Sequence, residues 1–161
     1  MIRKAKIEDL KELMDIFESA KMIMRKSGNM TQWSDGYPQK ELIEQDIIKG
    51  QLYVIKEDEI EACFVLQTGE DPTYAYIEGS WLSNSPYITI HRIAKRGGHD
   101  IFKKALSFAK EKIDHLRIDT HKDNVIMRHV LESNGFNYRG IIYLLDGDPR
   151  LAYEYLKDQD K

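Results

Sequence analysis

The apolar and polar positions between residues 116 and 136 follow two different periods. From Leu116 to His121 they alternate, which predicts a half-buried strand. From Met127 apolar residues recur at i, i+3 and i+4, the spacing of one helical face. Gly135 supplies a residue that tolerates the left-handed conformation at a helix end, and Phe136 re-enters the core. The segment therefore predicts a strand, an amphipathic helix and another strand.

The same patterns predict the order of elements along the rest of the chain. The predicted strands are 2–7, 51–56, 60–67, 87–94, 116–120, 136–145 and 151–156. The predicted helices run from residue 8 or 9 to about 25, over 41–49, over 101–113 and from about 124 to 134. A long excursion, residues 68–85, lies between the third and fourth strands, and loops of this length are often functional. This order predicts an α/β (α+β) fold with a mixed sheet flanked by helices.

Composition limits the class of protein. The chain of 161 residues is expected to form a single domain, 1–161. Its net charge of −3 argues against nucleic acid as a partner. We expect no membrane partner, since no apolar run approaches the roughly 20 residues that a span needs. Cys63, the single cysteine, fits a reducing compartment and is expected in the core, and the N-terminus lacks a signal-peptide core, so a cytoplasmic location is expected.

Five segments together resemble the GNAT family of acetyl-CoA-dependent N-acetyltransferases, above all its small bacterial members. They are the strand–helix–strand block 116–136, His91-Arg92-Ile93-Ala94, Asp119-Thr120-His121, Ile141–Leu144 and Arg150–Glu154. The resemblance covers nearly the whole chain. It implies the GNAT (acyl-CoA N-acyltransferase) fold with a mostly antiparallel central sheet, and acetyl-CoA as the cofactor.

The turn from Lys95 to Asp100 is the predicted phosphate site. Backbone N–H groups at such a strand-to-helix turn can bind phosphates, and the helix dipole favours negative charge. The resemblance also implies that the fourth strand splays from the fifth and that Asn124 bonds the pantetheine arm; Asn124 is equally suited to cap the helix. The predicted cofactor contacts are Ile93, Ala94, Arg96, Gly97, Gly98, His99, Asp100, Ile101 and Asn124.

Asp100 departs from the family pattern. The family carries Gly or Ala at this place, and an acidic side chain there opposes a pyrophosphate although it can cap the helix. Taken alone, residues 95–100 also fit a plain glycine-containing turn. The block from Asn124 to Phe136 favours the cofactor interpretation.

Acetyl transfer to an amine needs a base and an acid. Counting from Asn124, the tyrosine that serves as acid in many family members falls on Leu131. We therefore predict His91 as base, because histidine is the side chain that commonly serves as a base in enzymes, and Tyr143 as acid. The alternative is that His91 stabilises the splayed strands and that Asp119, with Arg92 or His121, forms a structural polar cluster.

Acceptor binding is assigned to Trp33, Asp119 and His121, with Asp35, Tyr37 and Trp81 as further wall residues. Trp33 could equally pin its loop to the core. The predicted partner is a small-molecule or peptide amine, with no metal, and the protein a monomer or homodimer. The rivals are a GNAT-fold CoA-binding module without transferase activity, and an interaction domain without a CoA site.

Overall fold

A computed structural model of the protein describes residues 1–34, 36–98 and 100–157. The helices are α1 Leu10–Lys26, α2 Lys40–Ile48, α3 Ile101–Lys112 and α4 Val125–Ser133. The strands are β1 Ile2–Lys4, β2 Leu52–Lys56, β3 Ile60–Thr68, β4 Glu78–Gly79, β5 Ile88–Lys95, β6 His115–Thr120, β7 Asn137–Tyr143 and β8 Pro149–Leu156. Short 3₁₀ turns occupy Ile7–Asp9 and Pro72–Tyr74. The predicted order of elements is confirmed, apart from these short additions.

All described strands belong to one eight-stranded sheet in the order β1-β2-β3-β5-β6-β8-β7-β4. Its strand pairs are antiparallel except β5–β6, which is parallel. The mixed, mostly antiparallel sheet expected from the resemblance is thus confirmed. A two-residue strand, β4, was not predicted. It pairs Gly79 with Gly140, where a Cβ on either glycine would lie 2.2 Å or less from a backbone oxygen of the other strand.

Two hydrophobic clusters fill the space between the sheet and the helices. One joins α1 and α2 to the sheet and contains Phe17, Ile43 and Cys63. The other joins α3 and α4 to the sheet and contains Leu106 and Leu131. Cys63 is fully buried, as predicted, and burial raises the pKa of its thiol far above the ordinary value. Each cluster therefore packs one pair of helices against the sheet.

The prediction that β6 is half-buried is wrong. Every residue of β6 is buried except Asp119, which is half-buried. Leu116 and Ile118 pack in the cluster of α3 and α4. Arg117 lies between the rings of Trp81 and Tyr87, with its guanidinium carbon 4.1 Å from each ring centre. The excursion 68–85 thus covers the polar positions, and this long-range contact has no signature in the local alternation.

Glu154 on β8 anchors that covering excursion. Its carboxylate is fully buried and accepts hydrogen bonds from Leu82 N at 2.8 Å, His115 Nε2 at 2.7 Å and Arg139 Nε at 2.9 Å. Burial alone raises the pKa of Glu154, but these hydrogen bonds outweigh it and bring the pKa to about 2. The group therefore stays ionised inside the protein and holds the excursion on the sheet.

Candidate active site

Strand β5 contains a bulge at its centre. His91 pairs with Val65 and Ala94 with Cys63, so Arg92 and Ile93 together lie opposite one residue of β3. Arg92 has φ of 47°, a left-handed conformation that costs a residue with a Cβ of the order of 1 kcal/mol. The bulge places an irregular stretch of backbone in the middle of the sheet.

The side chain of Arg92 holds this bulge in place. Nε and Nη2 donate to the two carboxylate oxygens of Asp46 on α2, at 2.8 and 2.9 Å, and Nη1 donates to Tyr37 Oη at 3.4 Å. Burial lowers the pKa of Arg92, but the hydrogen bonds to Asp46 outweigh it and the pKa is raised. The guanidinium is therefore always charged and spans from the sheet to α2.

Beyond Thr89, β5 and β6 separate. Their parallel pairing consists of Ile88 with Leu116 and Thr89 with Arg117. The splay expected from the resemblance is thus confirmed, and the β6 side of β5 from the bulge onward faces a gap in the sheet.

The backbone groups that face this gap follow from the register. Arg96 N donates to Glu61 O at 2.9 Å, so Arg96 is turned toward β3. Hydrogen-bonded residues alternate along an antiparallel pair, so Ala94, opposite Cys63, also faces β3. Ile93 and Lys95 then direct their N–H and C=O groups into the gap. The predicted contact at Ile93 fits this geometry, whereas the backbone of Ala94 faces the other way.

A cavity of about 780 Å³ opens at the gap. Its walls come from α1, the described part of the loop after α1, β3, the excursion 68–85, β5, β6, the starts of α3 and α4, and the β7–β8 hairpin. The predicted site residues that line it are Trp33, His91, Ile93, Ala94, Asp119 and Asn124. Those predicted but absent from its described lining are Arg96, Gly97, Gly98, Asp100, Ile101, His121 and Tyr143. His99 and Asp35 lie outside the described residues.

His91 is paired with a carboxylate in this cavity. Its Nε2 lies 2.9 Å from Asp71 Oδ2, and the two side chains are 21% and 9% exposed. Asp71 also accepts from Thr73 N at 2.9 Å and Thr73 Oγ1 at 2.7 Å. Burial raises the pKa of Asp71, but the hydrogen bonds from His91 and Thr73 outweigh it and bring the pKa to about 2. A permanently ionised carboxylate thus orients the imidazole.

Asp71 was missed by the sequence analysis. It lies in the excursion 68–85, where no periodicity marks it. The available signal was Asp71-Pro72-Thr73, because an Asp before Pro commonly caps a short helical turn. The side chain does cap the 3₁₀ turn Pro72–Tyr74. That signal predicts a turn and gives no hint of His91.

Asp119 has a partner that the sequence did not suggest. It accepts from Tyr74 Oη at 2.6 Å. The alternative cluster with Arg92 or His121 is wrong, since Arg92 binds Asp46 and His121 Nε2 lies 3.3 Å from Thr31 Oγ1. Burial raises the pKa of Tyr74 well above its usual value, so the phenol stays a hydrogen-bond donor.

Asn124 caps α4, as one of its two predicted roles requires. Its Oδ1 accepts from Met127 N at 3.1 Å, while its Nδ2 donates to Gln32 Oε1 at 3.1 Å. The same Gln32 oxygen accepts from Asn29 Nδ2 at 2.9 Å. The loop that carries Gln32 is therefore fastened to the helix start beside the cavity.

Trp33 is both a wall and a support. Its ring lies 5.7 Å from that of Phe17 and 6.0 Å from that of Tyr37, between centroids, and the residue lines the cavity. Trp81 packs on Tyr74 instead and lies outside the described cavity lining. Of the predicted acceptor wall, Trp33 and Tyr37 are thus brought together at the cavity.

The three-dimensional arrangement matches solved acetyltransferase structures over nearly its full length. A GNAT-family acetyltransferase from Streptococcus agalactiae is 34% identical, with 98% of this chain and 95% of that chain covered and a TM-score of 0.87. The chain belongs to the GNAT acetyltransferase family.

Two more distant structures share the GNAT fold. One is a GNAT-family acetyltransferase from Listeria monocytogenes, 18% identical, covering 97% of this chain and 94% of that chain with a TM-score of 0.71. The other is a ribosomal-protein-alanine N-acetyltransferase from Brucella melitensis, 15% identical, covering 97% and 99% with a TM-score of 0.64. No family model and no curated protein sequence matches the chain.

Acidic side chains lie around the start of α3, where the phosphate site was predicted. Gly98 has φ of 90°, and a Cβ on it would lie 2.5 Å from Glu61 Oε2. The backbone of Asp100 has the left-handed conformation. The expectation that its side chain caps α3 is wrong, since it makes no capping hydrogen bond. Arg96 is engaged by Glu12 at 2.9 Å and Glu59 at 3.4 Å. The turn before α3 thus has acidic side chains close to it, and its arginine is paired with glutamates.

Tyr143 is not brought to the GNAT cavity. It donates to Glu78 Oε1 at 2.7 Å in a solvent-exposed hydrogen bond. Leu131, where many GNAT enzymes carry a tyrosine, is fully buried in the core. Tyr37 is the tyrosine among the described cavity-lining residues.

Neither a metal cluster nor a membrane span is found in the described part of the chain. No group of three or more His, Cys, Asp or Glu side chains there could hold a metal ion. No helix in residues 1–34, 36–98 and 100–157 is long and apolar enough to cross a bilayer.

Proposed function

We propose that the protein transfers an acetyl group from acetyl-CoA to a primary amine of a small molecule or peptide. The observation that carries this proposal is the bulge and splay of β5 beside the cavity. Ile93 and Lys95 offer unpaired backbone groups along one edge, and an extended chain bearing amides can add to such an edge as a further strand. The amides of a pantetheine arm have this form, and acetyl-CoA would supply the thioester carbonyl.

The bulge provides a donor for the reacting carbonyl. A backbone N–H at Arg92 or Ile93 would stabilise the negative charge that develops on the carbonyl oxygen when the amine attacks. Such a donor helps most when it is fixed before the reaction. The bidentate hydrogen bonds between Arg92 and Asp46 fix the backbone at this point.

His91 is proposed as the base. The amine must lose a proton to attack, and a neutral imidazole can accept it. Asp71 orients the ring and stabilises the imidazolium that forms. Tyr37 replaces Tyr143 as the proposed acid for the departing thiolate, because it lines the cavity and its hydroxyl accepts from Arg92, which leaves its own proton free to be donated.

Location and assembly extend this proposal. We place the enzyme in the cytoplasm, where a chain with one buried cysteine meets reducing conditions. We propose that the enzyme is a monomer or a homodimer.

The first experiment is calorimetric titration with acetyl-CoA and, alongside it, free CoA. We expect saturable binding of both, followed by amine-dependent thiol release. The variant Ile93→Pro removes one backbone donor in the gap, and Ile7→Pro, outside the sheet, serves as its control. The proposal would be overturned if no binding were detected at about 1 mM ligand. A dissociation constant of about 1 mM corresponds to a binding free energy of only about 4 kcal/mol.

A CoA-binding module without transferase activity is the second candidate function. Two observations favour it: the amide of Asn124 is already engaged by Gln32, and Glu61 and Asp100 flank the phosphate end. Binding of acetyl-CoA without thiol release for any amine would support this candidate over the transferase.

A further inference from the structure

We propose that the acceptor is a small amine on an apolar body, with no carboxylate or phosphate beside the nitrogen. This inference rests on the proposed transferase function and adds the chemical class of its substrate. It is carried by the charges, the apolar walls and one unpartnered polar atom of the cavity.

The cavity contains carboxylates that no guanidinium or ammonium group of the described residues neutralises. Asp71 and Asp119 line it near the bulge, and Asp146 lines it at the β7–β8 hairpin. Asp71 has an imidazole as its partner and Asp119 a phenol, so neither is neutralised by a guanidinium or ammonium group. A cationic amine is attracted to such a site, and an acidic group is repelled.

The guanidinium groups of the described lining are already paired with carboxylates. Arg92 is paired with Asp46. Arg150 is 4% exposed. It donates one hydrogen bond to Asp148 Oδ2 at 2.9 Å and another to the backbone oxygen of Gln32 at 2.9 Å. Lys95 lies 5.1 Å over the ring of Phe102 on α3. In this lining no guanidinium is therefore left to bind an acid group of the acceptor, and leaving such a group unpaired is strongly unfavourable.

Apolar side chains from α1, the loop after it and the β7–β8 hairpin form part of the cavity wall. Ile23 and Met24 on α1 line it together with Trp33. Leu144 and Leu145 line it from the β7–β8 hairpin, and Leu145 is 95% exposed at the tip. These walls remove apolar surface of a bound molecule from water, at roughly 25 cal/mol per Å².

Asn29 marks a place for a donor. It is 1% exposed and lines the cavity, and its Oδ1 has no hydrogen-bond partner, while its Nδ2 donates to Gln32. A buried acceptor without a partner is costly, and an N–H of a bound ligand would satisfy it. The ammonium or secondary N–H of an amine has this property, whereas a carboxylate does not.

The test compares four amines in a thiol-release assay with acetyl-CoA. Phenethylamine and phenylalanine differ by one carboxylate, phenylalaninamide restores the bulk of that group without its charge, and ethanolamine lacks the apolar body. We expect kcat/KM for phenethylamine and phenylalaninamide to exceed those for phenylalanine and ethanolamine at least about tenfold. Equal use of phenylalanine, or of ethanolamine, would overturn the inference while leaving the transferase function intact.

Two variants at an exposed position sharpen the comparison. Leu145→Arg places a free cation at the cavity mouth and should reduce the discrimination against phenylalanine by about fivefold or more. Leu145→Gln removes the apolar side chain without adding charge and should leave that discrimination in place. An unchanged ratio in Leu145→Arg would contradict the charge argument. If acetyl-CoA binds but none of these four amines releases thiol, this inference fails, and a wider panel of amines then decides the transferase proposal.

Discussion

The imidazole of His91 is oriented by a carboxylate that lies 2.9 Å from its Nε2. His91 lies on β5 directly before the bulge, and Asp71 reaches it from the excursion 68–85. The carboxylate keeps its charge down to about pH 2 because of its hydrogen bonds. The sequence suggested His91 from its residue type, but Asp71 is 20 residues away in the chain and only the fold joins them.

Replacing His91 with Ala should lower kcat by about 10²–10⁴, because the proposed base is lost while the edge of β5 proposed for acetyl-CoA remains. Steady-state kinetics together with calorimetry separates loss of turnover from loss of binding. His129→Ala is the matched control, since His129 is exposed on α4 and lies outside the described cavity lining. A change of less than about threefold in His91→Ala would exclude His91 as the base.

At the scale of elements, the bulge in β5 places irregular backbone beside the cavity. Hydrophobic alternation predicted the strand at 87–94 but gave no sign of two residues opposite one. The extra residue becomes evident only when the pairing of β5 with β3 is known. The strain of its backbone is offset by the ion pair between Arg92 and Asp46 on α2, 46 residues earlier in the chain. Contacts of this kind are invisible to a local pattern, although the splay that follows was implied by the family resemblance.

Asp46→Ala should destabilise the protein by about 3–5 kcal/mol, because it leaves the guanidinium of Arg92 buried without its partner. Urea unfolding followed by circular dichroism measures this loss. Glu44→Ala is the control on the same helix, since Glu44 is 3.9 Å from Lys40 in a surface pair worth at most about 1 kcal/mol. Similar values for the two variants would contradict the anchoring role of Asp46.

For the whole molecule, the order of helices and strands was the most predictable property. The helices keep the period of 3.6 because each of them buries one face against the sheet, whereas β3 and β6 are buried on both faces and lose the period of 2. The exceptions are β4 and the buried polar face of β6, both of which depend on the excursion 68–85. Its residues carry no periodicity, so its contacts required the folded chain.

Acid should weaken the whole fold through Glu154 and Asp71. Their pKa values of about 2 lie below those of the unfolded chain, so the stability they contribute is present at neutral pH. It should be lost as pH falls from about 4.5 toward 2, by about 1–3 kcal/mol for Glu154. Chemical unfolding at a series of pH values measures this loss.

A matched pair of variants isolates the contribution of Glu154 to this acid response. The Glu154→Gln variant should be less stable at neutral pH. Its free energy of unfolding should change less than that of the parent between pH 4.5 and 2. Glu70→Gln, at an exposed carboxylate, should follow the parent curve. A parent curve that does not fall in this range would contradict the role given to the buried carboxylate.

The buried position of Cys63 gives this chain an internal probe. Cys63 lies opposite Ala94, where β3 meets β5 just after the bulge, and its thiol is the only one in the sequence. A thiol reagent therefore finds no reactive group while these two strands stay together, since the thiolate is the reactive species. The labelling rate of Cys63 under native conditions then reports how often β3 and β5 come apart, and its slowing by acetyl-CoA would measure how strongly the ligand holds them closed.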